Sequence, residues 1–327
     1  MAQTVLGFAT SHGPQLRMSP DKWGLLREKD IHDPRFDYQA LLNRNLPGIE
    51  EEITPEKFIE RYEACQKALQ VLKNTVAEIR PDAIVVIGDD QHEQFMEDNM
   101  PMFSIYYGNE LPIRERQGPG RDAALQKAWA SGAREWRDAQ DPINESSQPG
   151  YPALAKHIIK HFVSQNIDIS VTNKLREDIG AGHAFAFLYR QILPEGNVPI
   201  IPFMVNCFYP PNQPTVGRCY DVGKELRNAI DSWDSDARIA IMASGGLSHF
   251  IIDEEIDRKT LAALASKDAN TLRTISDERL ILGTTEIRNW VTLGGAMEDK
   301  TMDLIDYQPC YRTLAGTGCA MAFATWS

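Results

Sequence analysis

An α/β protein is predicted, built as a central mixed β-sheet flanked by helices with its active site at the carboxyl ends of the strands. Three features of the 327-residue chain predict it. Short runs rich in Val, Ile and Phe alternate with longer amphipathic stretches. Most of those runs stop at Gly, Asn, Asp or Ser. No internal repeat, low-complexity tract or linker interrupts the alternation, so residues 1–327 read as one domain.

The first strand is expected at residues 4–10, followed by a polar, punctuated excursion over residues 13–52. Thr54-Pro55 then opens a helix, with Thr as N-cap and Pro at the first helical position. Its apolar positions are Phe58, Tyr62, Cys65, Leu69, Leu72, Val76 and Ile79, alternating steps of four and three. That spacing draws one buried stripe, and Pro81 blocks its continuation. A second strand is expected at 83–88, and a second polar excursion occupies 109–150. Further strands are expected at 167–172, 198–206 and 238–243. Helices are expected at 153–165, 216–233, 254–275 and 285–293, and two closing strands at 304–311 and 319–326.

Charge limits the partners. The chain carries 34 Lys+Arg against 46 Asp+Glu, a net charge of −12. Such an excess repels nucleic-acid phosphates and anionic lipid. Apolar runs such as residues 83–87 are far too short to span a bilayer, and residues 1–8 lack a signal-peptide pattern. A soluble, cytoplasmic protein, homodimeric by the usual default, is the expectation. The five cysteines, Cys65, Cys207, Cys219, Cys310 and Cys319, have no CxxC spacing. They read as buried apolar residues of a reducing compartment.

Seven histidines carry the chemistry: His12, His32, His92, His157, His161, His183 and His249. His12, His92, His183 and His249 each follow an expected strand in small, polar sequence. Ligand crevices of open α/β sheets lie outside the strand carboxyl ends, so four imidazoles there point to a metal or acid–base site. His157 and His161 share one helical face, but the HExxH glutamate is missing and the pair reads as a solvated face. His32 reads as an ordinary loop residue. Glu286, in Gly283-Thr284-Thr285-Glu286, opens a helix, where a carboxylate also simply complements the dipole. Ser244-Gly245-Gly246-Leu247-Ser248 lacks a phosphate-loop pattern, and no GxSxG elbow occurs.

Taken together, these segments resemble the class III extradiol ring-cleaving dioxygenases, typified by the β subunit of protocatechuate 4,5-dioxygenase. The likeness runs from Thr4 to about Met321. It rests on Thr10-Ser11-His12-Gly13-Pro14 and on Ser244-Gly245-Gly246-Leu247-Ser248-His249. It also rests on Pro81-Asp82 through Phe95, on Pro101-Met102-Phe103-Ser104-Ile105, and on Glu286 four residues before Trp290. The resemblance implies a non-haem Fe(II) held by two histidines and a glutamate, with positions open to an aromatic diol and O2.

Carried over by position, the resemblance makes His12 the first ligand, Glu286 the carboxylate and His249 the acid–base group. His183 becomes a second active-site histidine near substrate or oxygen. Aligned without a gap, the family's remaining ligand position falls on Gln91, with His92 one residue late. Imidazole is the better iron ligand, so His92 is the expectation. The long first excursion places the chain nearer the gallate and methylgallate branch than the type with a separate small helical subunit. Arg312, Thr313 and Thr317 are candidates to meet a substrate carboxylate. The same donors would also suit a metal-dependent hydrolase, and the superfamily includes members whose metal site has lost its chemistry.

Overall fold

The computed structural model describes residues 1–114, 127, 143–193, 196 and 198–327. The strands in chain order are β1 (Gln3–Thr10), β2 (Ala83–Asp89), β3 (Phe103–Tyr106), β4 (Glu110–Pro112), β5 (Ser147–Pro149), β6 (Ser170–Thr172), β7 (Ile200–Val205), β8 (Arg238–Ser244), β9 (His249–Ile251), β10 (Met302–Tyr311) and β11 (Thr317–Trp326). The main sheet runs β10-β11-β1-β8-β2-β7-β3-β6, with β9 paired to β11. Its central strands β1, β8, β2 and β7 are mutually parallel, while β11, β10 and β3 add antiparallel pairs. This is the mixed sheet that the sequence predicts. β4 and β5 form a separate ribbon.

Strand side chains alternate between two apolar layers. Ala83, Val85 and Ile87 of β2 enter one cluster with Leu154, Leu226, Leu264 and Trp290. Ile84 and Val86 enter the other with Trp23, Leu72 and Phe187. Because a strand's side chains have a period of two, a strand buried on both faces reads as a continuous apolar run. That is why residues 83–87 are so plainly legible.

The helix Pro55–Ile79 matches its expected stripe. Thr54 accepts a hydrogen bond from the Lys57 amide at 3.2 Å, and the helix ends where Arg80 turns left-handed at φ 51°. The expected helix over 254–275 is two, Glu254–Ala265 and Ala269–Arg273. Lys267 adopts φ 58° between them, and Asp268 caps the second through Thr271. The strand expected at 167–172 pairs only over its last three residues, and the strand at 198–206 only over Ile200–Val205.

The helix at 183–191 and strand β3 were not foreseen. Neither shows a full period, and both are recognisable only through what they pack on. The first excursion also folds more than its polarity suggests, with a helix at Trp23–Ile31 that buries Trp23, Leu26, Lys29 and Asp30. Of the second, residues 115–126 and 128–142 lie outside the described residues. All five cysteines are buried free thiols. His157 and His161 tie their helix to the neighbouring one through Ser232 (2.9 Å) and Glu225 (3.2 Å). No helix among the described residues is long and apolar enough to cross a membrane.

Candidate metal centre

Three adjacent parallel strands end at one edge, and each delivers part of the site. β1 stops at Thr10, two residues before His12. β2 ends on Asp89. β8 ends on Ser244 and leads into the glycine turn before His249. Glu286 comes from a separate segment, at the end of a 3-10 turn (Leu282–Glu286) that runs into the buried helix Ile287–Ala296. His183 is the first residue of the helix His183–Gln191, which lies directly on β2. A Cβ on Gly88 would stand 2.8 Å from that of Ala184, so glycine there lets the helix approach closely enough to place His183 over the strand ends.

His12, Asp89, His183 and Glu286 each offer one ligand atom within 4.8 Å of all the others. Asp89 and Glu286 are fully buried. His12 Nε2 lies 3.4 Å from Glu286 Oε2, 4.0 Å from Asp89 Oδ1 and 3.2 Å from His183 Nε2. The outer ring nitrogens fix the tautomers. Ser244 donates its hydroxyl to the Ala184 carbonyl at 2.6 Å, so at 3.1 Å it accepts from His12 Nδ1. Glu93, a carboxylate, accepts from His183 Nδ1 at 2.8 Å. Both rings therefore turn their Nε2 lone pairs to the same point that the two carboxylates face. Four acceptor groups around one point call for a cation, and imidazole and carboxylate donors suit Fe(II) or a similar divalent metal. The residues fit the group that the resemblance implies.

The charges respond to this crowding. Burial, then the nearby Glu286, pushes the Asp89 carboxyl up. Glu286 goes the other way: burial alone would raise it, but His249 and His12 outweigh that and hold it well below the usual carboxylate range. One Glu286 oxygen also accepts the Gly246 amide at 2.8 Å. His249 sits beside the cluster, with Nδ1 2.9 Å from the Leu247 carbonyl and Nε2 3.1 Å from Glu286 Oε1. Burial would lower the imidazole, and Glu286 more than reverses this, so its affinity for a proton rises. An imidazole poised to exchange a proton thus adjoins a group of metal donors.

The other sequence candidates lie elsewhere. His92 adopts φ 55° and stacks on Tyr209 with ring centroids 3.7 Å apart. Its Nε2 lies 3.5 Å from Glu97, and it is not among the four converging residues. Gln91 instead reaches Asp89 Oδ2 (3.3 Å) and His183 Nε2 (3.4 Å). The single left-handed residue turns the expected histidine away and leaves the amide facing the cluster.

Arg312, Thr313 and Thr317 meet a carboxylate, but an internal one. Arg312 grips Asp30 through two bonds of 2.5 and 2.9 Å, Thr317 donates to Asp30 at 2.6 Å, and Thr313 bonds Thr317 at 2.7 Å. Lys29 lies 2.7 Å from both Asp30 and Asp33. Burial alone would raise the Asp30 carboxyl; Arg312 and Lys29 overcome this and hold it low. The network pins the first excursion to the β10–β11 turn. Asp89 and Glu93 were missed from the sequence. Both stand in Gly88-Asp89-Asp90-Gln91-His92-Glu93, but an acidic protein offers too many carboxylates for composition to choose among them.

Comparison with known proteins agrees with this architecture. Residues 7–321 match the family described as the catalytic LigB subunit of aromatic ring-opening dioxygenase. The chain is 30% identical to a gallate dioxygenase of Pseudomonas putida over 149 residues, 45% of this chain and 41% of that one. It is 25% identical to a 2,3-dihydroxyphenylpropionate/2,3-dihydroxicinnamic acid 1,2-dioxygenase of Comamonas testosteroni over 186 residues, 57% of this chain and 49% of that one. The matches thus span under half the length of each relative. With the match covering nearly the whole sequence, the chain belongs to the LigB family of aromatic ring-opening dioxygenase catalytic subunits.

Proposed function

We propose that the protein is a non-haem Fe(II)-dependent extradiol dioxygenase that opens the ring of a catecholic or gallate-type acid with O2. The observation that carries the reading is His249 Nε2 standing 3.1 Å from Glu286, itself part of the four-residue cluster. The similarity to a gallate dioxygenase favours that substrate branch.

Residues of this cluster would hold Fe(II), which when bound would supply positions for the two diol oxygens and a path for ring electrons to O2. The protein's own residues supply the rest. Leu247 fixes the His249 ring through Nδ1, leaving Nε2 to take a phenolic proton and return it during ring opening. Glu286 is held rigid by the Gly246 amide, and Ser244 orients His12. Both atoms of O2 enter the product, and the bond broken lies beside the two hydroxyl-bearing carbons.

The test is oxygen uptake after anaerobic iron loading, across gallate, methylgallate, protocatechuate and simple catechols. One O2 consumed per ring opened, with a gallate-type acid preferred, is expected. No uptake by iron-loaded protein with any diol would overturn the reading.

Gly283 provides a sharper check on His249. A Cβ at Gly283 would fall 2.2 Å from His249 Cδ2 and 2.4 Å from Nε2, so the ring must move. Gly283→Ala is expected to keep its metal and to lose about 10²-fold in turnover, the scale of an ångström-sized misplacement. Wild-type turnover in that variant would show that the ring position is immaterial.

A further inference from the structure

The turn after β2, where the resemblance locates a second imidazole ligand, holds an amide facing the cluster and a histidine stacked away from it. We propose that His183 and Asp89 complete the set begun by His12 and Glu286, so that two imidazoles and two carboxylates hold the ion. The proposal rests on reading the cluster as the metal centre of the proposed dioxygenase.

Three observations carry it. First, among the described residues these four are the ones whose donor atoms converge within 4.8 Å. Second, both imidazoles are braced as metal-bound histidines are, through the ring nitrogen opposite the ligating one. Ser244 braces His12, and Glu93 braces His183 by both Nδ1 and the backbone amide. Third, Asp89 Oδ1 is fully buried and has no hydrogen-bond partner among the described residues, although it faces the cluster 4.0 Å from His12 Nε2. A buried carboxylate oxygen is costly unless something positive completes it.

Gln91 takes a different part. Asp89 Oδ2 beside it is an acceptor, so the amide turns its NH2 group to that carboxylate at 3.3 Å, which orients Asp89 and ligates nothing; the His183 Nε2 lone pair goes to the ion. The second carboxylate cancels the formal charge that a single one leaves on a divalent ion. Such a set favours oxygen-preferring metals, Fe(II) and Mn(II), more than an imidazole-richer set does.

The experiment titrates chelator-stripped protein anaerobically with Fe(II) alone and with Co(II) alone. It reads bound metal after gel filtration and the visible Co(II) band. Wild-type protein is expected to bind one ion per chain. Asp89→Asn and His183→Gln are each expected to weaken binding at least about tenfold and to alter the Co(II) band, whereas His92→Ala leaves both unchanged. Asp89→Asn is isosteric and relieves a crowded buried carboxylate, so its metal-free Tm should equal or exceed that of the wild type. Metal loss with Tm preserved reports a lost ligand rather than misfolding.

Wild-type affinity in Asp89→Asn, or loss of the ion in His92→Ala, would overturn the assignment. The expected metal pattern without oxygen uptake would retire the dioxygenase reading and keep these ligands. Oxygen uptake with wild-type metal affinity in Asp89→Asn would do the reverse.

Discussion

Replacing His249 with alanine is expected to leave the metal content unchanged while lowering turnover of a catecholic acid by about 10²–10⁴-fold, the usual worth of a positioned acid–base group. The separation follows from the geometry. Glu286 loses one imidazole neighbour but keeps the Gly246 amide and stays 3.4 Å from His12. The cluster therefore survives the truncation, and only the proton carrier disappears. Iron analysis beside steady-state oxygen uptake separates the two effects. Turnover equal to that of the wild type would remove His249 from the reaction, and loss of iron would make it part of the metal set.

The second large effect is on stability. Arg312→Met is expected to cost about 3 kcal/mol, because it removes two charge-assisted hydrogen bonds from a buried carboxylate and leaves it one cation, Lys29, that it shares with Asp33. Asp30 is fully buried and, among the described residues, would keep Lys29 and Thr317 as side-chain partners. Thr317→Val, which removes one hydroxyl donor to the same carboxylate, is expected to cost about 1–3 kcal/mol. Urea unfolding measures both. Folded Arg312→Met protein should keep its KM for the diol; a raised KM with unchanged stability would instead return Arg312 to the substrate.

The same network shows how the sequence candidates for a substrate carboxylate came to be engaged elsewhere. Arg312, Thr313 and Thr317 do recognise a carboxylate, but Asp30 arrives from 282 positions away to meet Arg312. No local pattern near residue 312 announces it. The first excursion reads as a polar loop for a related reason. Its helix at Trp23–Ile31 buries Lys29 and Asp30 as partners, and paired charges look like solvent-facing ones until the pairing is seen.

What the sequence determined by itself is what local periodicity and order can encode. The Val/Ile runs are buried on both faces, the stripe from Phe58 to Ile79 lies along one helix, and the motifs around His12, His249 and Glu286 stand in the family's order. These follow from the two-residue and 3.6-residue repeats and from motifs a few residues long, which need no knowledge of distant chain.

Tertiary structure decided which side chains actually meet. Gln91 and His92 are neighbours in sequence, but one left-handed φ at His92 sends its ring to Tyr209 and leaves the amide at the cluster. Asp89 is one acidic residue among 46 until β2 ends beside β8 and buries it opposite His12. His183 reaches the same point because Gly88 lets its helix settle on the strand. Each outcome depends on a backbone torsion or a packing contact between segments far apart in the chain, and neither leaves a local repeat to read.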